Sequence, residues 1–167
     1  MTIPMPTRRG EISHIDTLAC DAFEQGLLPI ARHFWLAISR KDSVAWHRAY
    51  SIAAERYGER IGFPVGHQMA KLVRVLIDLR GPALSFHDPS DDEKKDHVTA
   101  DEAQLVTMIH HMRRDDTPPA RDAVDALTEG RMDPDLIRAA LHLASRFPCG
   151  IPGAATANTQ PRLYAVT

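Results

Sequence analysis

Cysteine is scarce. Cys20 and Cys149 are the only two in 167 residues, and neither sits in a CxxC or a Cys/His cluster. That spacing argues against a disulfide scaffold or a zinc site built from neighbouring ligands. Lysine is also rare, 4 residues against 16 arginines, and with abundant alanine this bias is typical of a GC-rich, bacterial genome. Charge of one sign is lacking too. A net charge of −2 and a pI near 6.5 give no global pull toward nucleic acid or an anionic membrane.

Long apolar runs are missing. Leu27–Ile38 and Leu72–Leu79 are interrupted by Arg32, Arg74 and Asp78, and neither reaches the roughly 18 residues of a membrane span. Met1–Gly10 carries two prolines and Arg8-Arg9, with no secretory apolar core. The expectation is a soluble cytoplasmic protein with reduced thiols. HExxH, paired ExxH, GxSxG, Walker and GxGxxG patterns are all missing. So is the period-two alternation of a half-buried strand.

What is present is helical periodicity. Apolar residues recur at spacings of three and four along most of the chain, which predicts an all-α fold, an irregular bundle of about six to seven helices. One domain is expected, with a frayed arm over 1–10 and an irregular tail over 148–167. A first helix is read from about Ile12 to Gln25 on Ile15, Leu18, Ala19, Ala22 and Phe23, with Gly26 as its stop. A second runs from about Pro29 to Lys41, Pro29 filling a first-turn position.

Asp42-Ser43 offers a cap for a third helix, about Val44 to Arg60, with Trp46, Ala49, Tyr50, Ala53 and Tyr57 on one face and an end at Gly62. A fourth, about Pro64 to Arg80, buries Met69, Leu72, Val73, Leu76 and Leu79. Its opposite face shows His67, Lys71, Arg74 and Asp78, the last two spaced to pair.

Residues 84–98 then change character. His87–Asp96 has no apolar side chain, and the segment reads as a mobile polar loop between two halves of unequal charge, +3 over 1–83 and −5 over 84–167. Thr99 and Glu102 form a capping box for a helix to about Arg114. Helices from about Ala120 to Glu129 and from Pro134 to about Phe147 complete the count, the latter capped by Asp133.

Nine histidines raise the question of metal or ligand binding. His110 and His111 are adjacent, so on a helix they point about 100° apart and read as half-buried boundary rings. His87 and His97 flank Asp88, Asp91, Asp92, Glu93 and Asp96, but Lys94-Lys95 sits among them and no glycine shapes a cation-binding turn, so a solvated loop is expected. His33 and His47 lie beside Phe34-Trp35 and Trp46 on either side of a turn, where a helical hairpin would bring them together. With His67 they are the candidate wall of a ligand, sensor or enzyme pocket, Asp78 being a further candidate for the enzyme.

Cys20 lies beside Asp21, which opposes thiolate formation, while Cys149 falls in a loop and is expected to be exposed. Residues 120–146 resemble a helix-turn-helix, with Ala126, Gly130 and Leu136 at the small, turn and plug positions. Asp133 and Asp135 would lead its recognition helix toward phosphate, so nucleic acid is not the expected partner. The leading expectation is a non-enzymatic binding, adaptor or regulatory module, with no catalytic residue, metal or cofactor assigned. Its expected partner is another protein or a second copy in a homodimer.

Overall fold

The structure, a computed structural model, describes residues 13–149. The arm over 1–10 and the tail from 150 lie outside the described residues. The fold is all-α: 75% of the described residues are helical, 3-10 turns included, and six α-helices lie among them. These are α1 (Ala22–Arg40), α2 (Ser43–Tyr57), α3 (Glu59–Arg80), α4 (Ala100–Met112), α5 (Thr117–Thr128) and α6 (Pro134–Arg146). Two short strands, β1 (Ser13–His14) and β2 (His97–Val98), pair antiparallel, Ser13 opposite Val98 and His14 opposite His97. Helix α1 packs on α2, α3 and α4, and α6 closes against α3 and α4. The core they share holds Leu27, Phe34, Met69, Leu72, Leu76, Ile109, Leu127 and Leu136, all essentially inaccessible.

The first two expected helices are placed differently. Residues 22–40 form one helix that runs through both Gly26 and Pro29. Residues 15–17 form only a 3-10 turn, and the backbone is extended at Leu18 and Asp21. Asp21 ends the apparent periodicity because its side chain accepts from the Glu24 amide, while Glu24 accepts from the Asp21 amide at 2.9 Å. Pro29 costs about 3 kcal/mol inside a helix. Leu27, Leu28, Ile30 and Ala31 around it are all buried, and burial of large side chains at about 1.5–3 kcal/mol each outweighs that cost.

Gly26 is not a stop but a contact point. A Cβ there would stand 2.4 Å from the Tyr57 hydroxyl oxygen, and that hydroxyl donates to the Phe23 carbonyl at 2.7 Å.

The break between α2 and α3 falls at Gly58, with φ of 75°, rather than at Gly62. Gly62 lies inside α3, where a Cβ would be 2.4 Å from the Ala53 carbonyl oxygen, so the two helices touch backbone to backbone. Pro64 is likewise interior to α3. The caps at Asp42, Thr99 and Asp133 form as expected, each side chain accepting from amides of the first turn. Helix α5 begins earlier than expected, since Pro118 and Pro119 occupy its first turn, where missing N–H groups leave no intrahelical bond unmade.

The polar segment 84–98 is fastened more firmly than its composition suggests. Leu84, Phe86 and Val98 are buried. Arg32 of α1 donates to Glu102 at 2.7 Å, to the Lys95 carbonyl at 3.0 Å, and to the His97 carbonyl. Glu102 in turn accepts from the His87 amide at 2.9 Å. The segment therefore joins α1 to α4 instead of separating two halves.

Candidate functional site

Helices α1, α2 and α3 meet at a groove of about 250 Å³ lined by Ile38, Trp46, Tyr50, His67, Ala70, Lys71 and Arg74. Trp46 and Tyr50 are one turn apart on α2, so their rings lie along the same side. Phe34 of α1 supports both, its centroid 5.0 Å from Trp46 and 5.3 Å from Tyr50 in edge-on contacts. Gly66 of α3 lets the Tyr50 ring lie against the helix, since a Cβ there would come within 2.9 Å of it. Burial pushes the Tyr50 hydroxyl pKa up from its ordinary value.

The aromatic surface continues outward. Phe63, 50% exposed, lies 6.3 Å from Tyr50 in a tilted contact, and Trp46, 38% exposed, lies 6.0 Å from the same ring. Two large aromatic side chains are thus left exposed around the half-buried Tyr50 ring. On α3, His67, Lys71 and Arg74 follow at spacings of four and three, and the cations of Lys71 and Arg74 rim one side of the aromatic wall beside His67. Arg74 pairs with Asp78 at 3.6 Å, both well exposed. Among the described residues no carboxylate lies within ion-pairing distance of Lys71.

The histidines expected to converge do not. His33 Nδ1 donates to the Pro29 carbonyl at 2.8 Å and faces a separate polar groove with Glu55, Arg56, Asp88, Asp91 and Lys95. His67 lines the α2–α3 groove, and His47 is exposed on α2 and lines neither. The reason is that Pro29 is internal: His33 sits mid-helix in α1, and the hairpin turn at Lys41-Asp42 comes too late to bring it opposite His47. Asp78 is exposed at the far end of the row, paired with Arg74. Among the described residues no group of three or more His, Cys, Asp or Glu is arranged to hold a metal ion. No Ser, Thr or Cys side chain there is hydrogen-bonded to an imidazole, the pairing that activates a nucleophile.

Helices α5 and α6 follow one another in the chain but pack mainly on α4 and α3 respectively; Leu136 is fully buried and Ala126 exposed. Asp133 caps α6, and Arg138 is engaged by Asp135 at 2.8 Å, so carboxylates lead the exposed end. Cys20 is half-buried, and burial raises its thiol pKa, with Glu24 and Asp21 adding to the effect. Cys149 is exposed.

Two buried ionic clusters escaped sequence reading. Glu24 is fully inaccessible and accepts from Arg113 and Arg114 at 2.6 Å each and from His110 at 2.8 Å. Arg113 also reaches Asp21 at 2.8 Å and covers the Phe23 ring at 4.4 Å. Burial opposes ionisation of Glu24, yet the bonds from Arg114 and His110 hold its carboxyl below the ordinary carboxylate value. The second cluster is Arg32–Glu102. Asp21-x-x-Glu24 was readable as a capping box, and its carboxylate within an apolar stripe was the available signal. No protein-family model, curated protein or solved structure matches the chain.

Proposed function

We propose that this protein is a non-enzymatic helical binding module whose α2–α3 groove takes a segment of another protein that carries an aromatic or branched apolar anchor beside carboxylates. The observation that carries this reading is the pairing of exposed Trp46 and Phe63 with the neighbouring rim of His67, Lys71 and Arg74. Aromatic rings supply an anchor pocket with little entropy loss, and a cationic rim selects acidic flanks and speeds encounter. A groove this shallow suits a protein segment better than an enclosed small ligand. The unpaired thiols of Cys20 and Cys149 support a reducing, cytoplasmic setting.

Selection of a random displayed-peptide library on the purified chain tests the reading. The expected consensus holds Trp, Phe or Leu flanked by Asp or Glu, enriched on wild type and lost on Trp46→Ala and on Lys71→Glu. A basic consensus, or an acidic one kept by both variants, would refute it.

A further inference from the structure

The molecule carries two exposed apolar places with opposite charge beside them. Over residues 13–83, nine basic against seven acidic side chains leave +2, and over 84–149, eight against fourteen leave −6. The α2–α3 groove belongs to the first stretch. Phe63, His67, Lys71 and Arg74 form one exposed row along α3, with Trp46 beside it on α2. Phe63 and Lys71 are just over two turns apart, about 12 Å along the helix.

The second place lies where α4, α5 and α6 meet. A cleft of about 190 Å³ there has apolar walls of Met112, Val124, Met132 and Ile137. Leu141 stands at its lip, 48% exposed, although α6 buries Leu136, Ala140, Leu143 and Ala144. Asp115 and Asp116 belong to the same lining and are exposed, with Arg121 as its single Lys or Arg. Asp116 starts α5 without making a capping bond, and its side chain meets His111 at 3.2 Å. Among the described residues neither aspartate is ion-paired to a lysine or arginine. This apolar lip is therefore edged by negative charge.

The groove suits a branched apolar anchor beside carboxylates, and the chain itself presents one in Leu141 with Asp115 and Asp116. On the reading of the groove given above, we propose that its partner is a second copy of this chain docked head to tail. Leu141 of one protomer seats against Trp46 and Phe63 of its partner, while Asp115 and Asp116 face Lys71 and Arg74. Met112 and Met132 adapt to the Phe63 ring, since flexible thioethers pack readily on aromatics. A second copy covers both exposed apolar places in one contact, whereas a foreign segment in the groove leaves the cleft as it was. Two unlike faces meet, so the contact extends into open chains unless the rotation closes a ring. Two patches of this extent make a weak contact, favoured by high protein concentration and low salt.

Sedimentation velocity of the full chain and of two charge reversals, Lys71→Glu and Asp116→Lys, tests it. Both residues are exposed, so the changes spare the core, and an unchanged denaturation midpoint checks this. Wild type should sediment faster as its concentration rises, and added salt should reverse the trend. Each variant alone sets like charges across the contact and should weaken association about tenfold or more. An equimolar mixture of the two places opposite charges together again in both directions, so association should return close to the wild-type level. A wild type that stays monomeric up to about 1 mM, variants that associate as well as wild type, or a mixture no stronger than its parts would overturn the proposal. A monomeric wild type that still selects acidic, apolar peptides removes only the second copy and keeps the groove reading; neither association nor selection removes both.

Discussion

Glu24 and Glu102 occupy the same local position in two different helices, and the fold treats them differently. Each is the third residue of a helix, closes a capping box, and is fully buried. Each also receives a guanidinium from the other helix, Arg32 of α1 reaching Glu102 and Arg113 at the end of α4 reaching Glu24. The α1–α4 pair is thus stapled reciprocally, N-terminus of one to a distal residue of the other. Glu102, however, has one guanidinium, its other bonds coming from the backbone amides of His87 and Thr99. Glu24 has two guanidiniums and an imidazole. One staple is single and closed; the other is redundant and partly open to solvent through His110 and Arg114. Redundancy should blunt the effect of any single substitution, and the contrast can be measured.

The largest expected effect is at Arg32. Arg32→Met leaves Glu102 as a buried charge without a cation and also frees the Lys95 and His97 carbonyls. It should cost about 3–5 kcal/mol, read from the denaturant midpoint. Arg113→Met should cost distinctly less, about 1–3 kcal/mol, because Arg114 and His110 remain on Glu24. Equal losses would show that the second guanidinium carries no weight.

Acid should act on the Glu24 side. Glu24 and Asp21 both have carboxyls lowered by the fold, from ordinary values of 4.5 and 3.8. A lowered carboxyl pKa contributes stability that is complete above the unfolded value and is lost as pH falls through the folded one. Stability should therefore begin to fall below about pH 4.5. Glu24→Gln should flatten that part of the pH–stability curve; an unchanged slope would remove the cluster from the acid response.

The caps come next. Thr99→Ala and Asp133→Ala each remove a first-turn acceptor and should cost about 1 kcal/mol. Thr99 should cost more of the two, since its hydroxyl also donates to the Ser85 carbonyl at 2.6 Å while Asp133 serves only its own helix. Thermal melts of the two variants side by side decide the order. The smallest effect is expected at Arg74→Ala. Its partner Asp78 is exposed and one turn away, so only a few tenths of a kcal/mol should be lost.

Much of this was legible along the chain because it depends on near neighbours. Helical type, the caps at Asp42, Thr99 and Asp133, the end of α3 at Arg80 and the exposed row His67–Lys71–Arg74–Asp78 all follow from residues within one or two turns of each other. Local rules misled where a distant surface outweighed them. Gly26 and Pro29 read as punctuation, but Tyr57 needs the first bare and the buried residues around the second hold the helix through it. His33 and His47 read as partners because a hairpin was assumed between them, and the continuous α1 separates them.

The sequence alone determined that the chain would be helical, where most helices would begin, and that no local motif would announce a reaction. Only the tertiary structure decided which charged residues go inside. A carboxylate and a guanidinium can be buried together when each satisfies the other, and Arg32–Glu102 stand 70 residues apart. That pairing leaves no trace in any short window of sequence. The same holds for the groove of Trp46, Tyr50, His67 and Lys71, whose two halves meet because Gly62 and Gly66 let α2 and α3 approach.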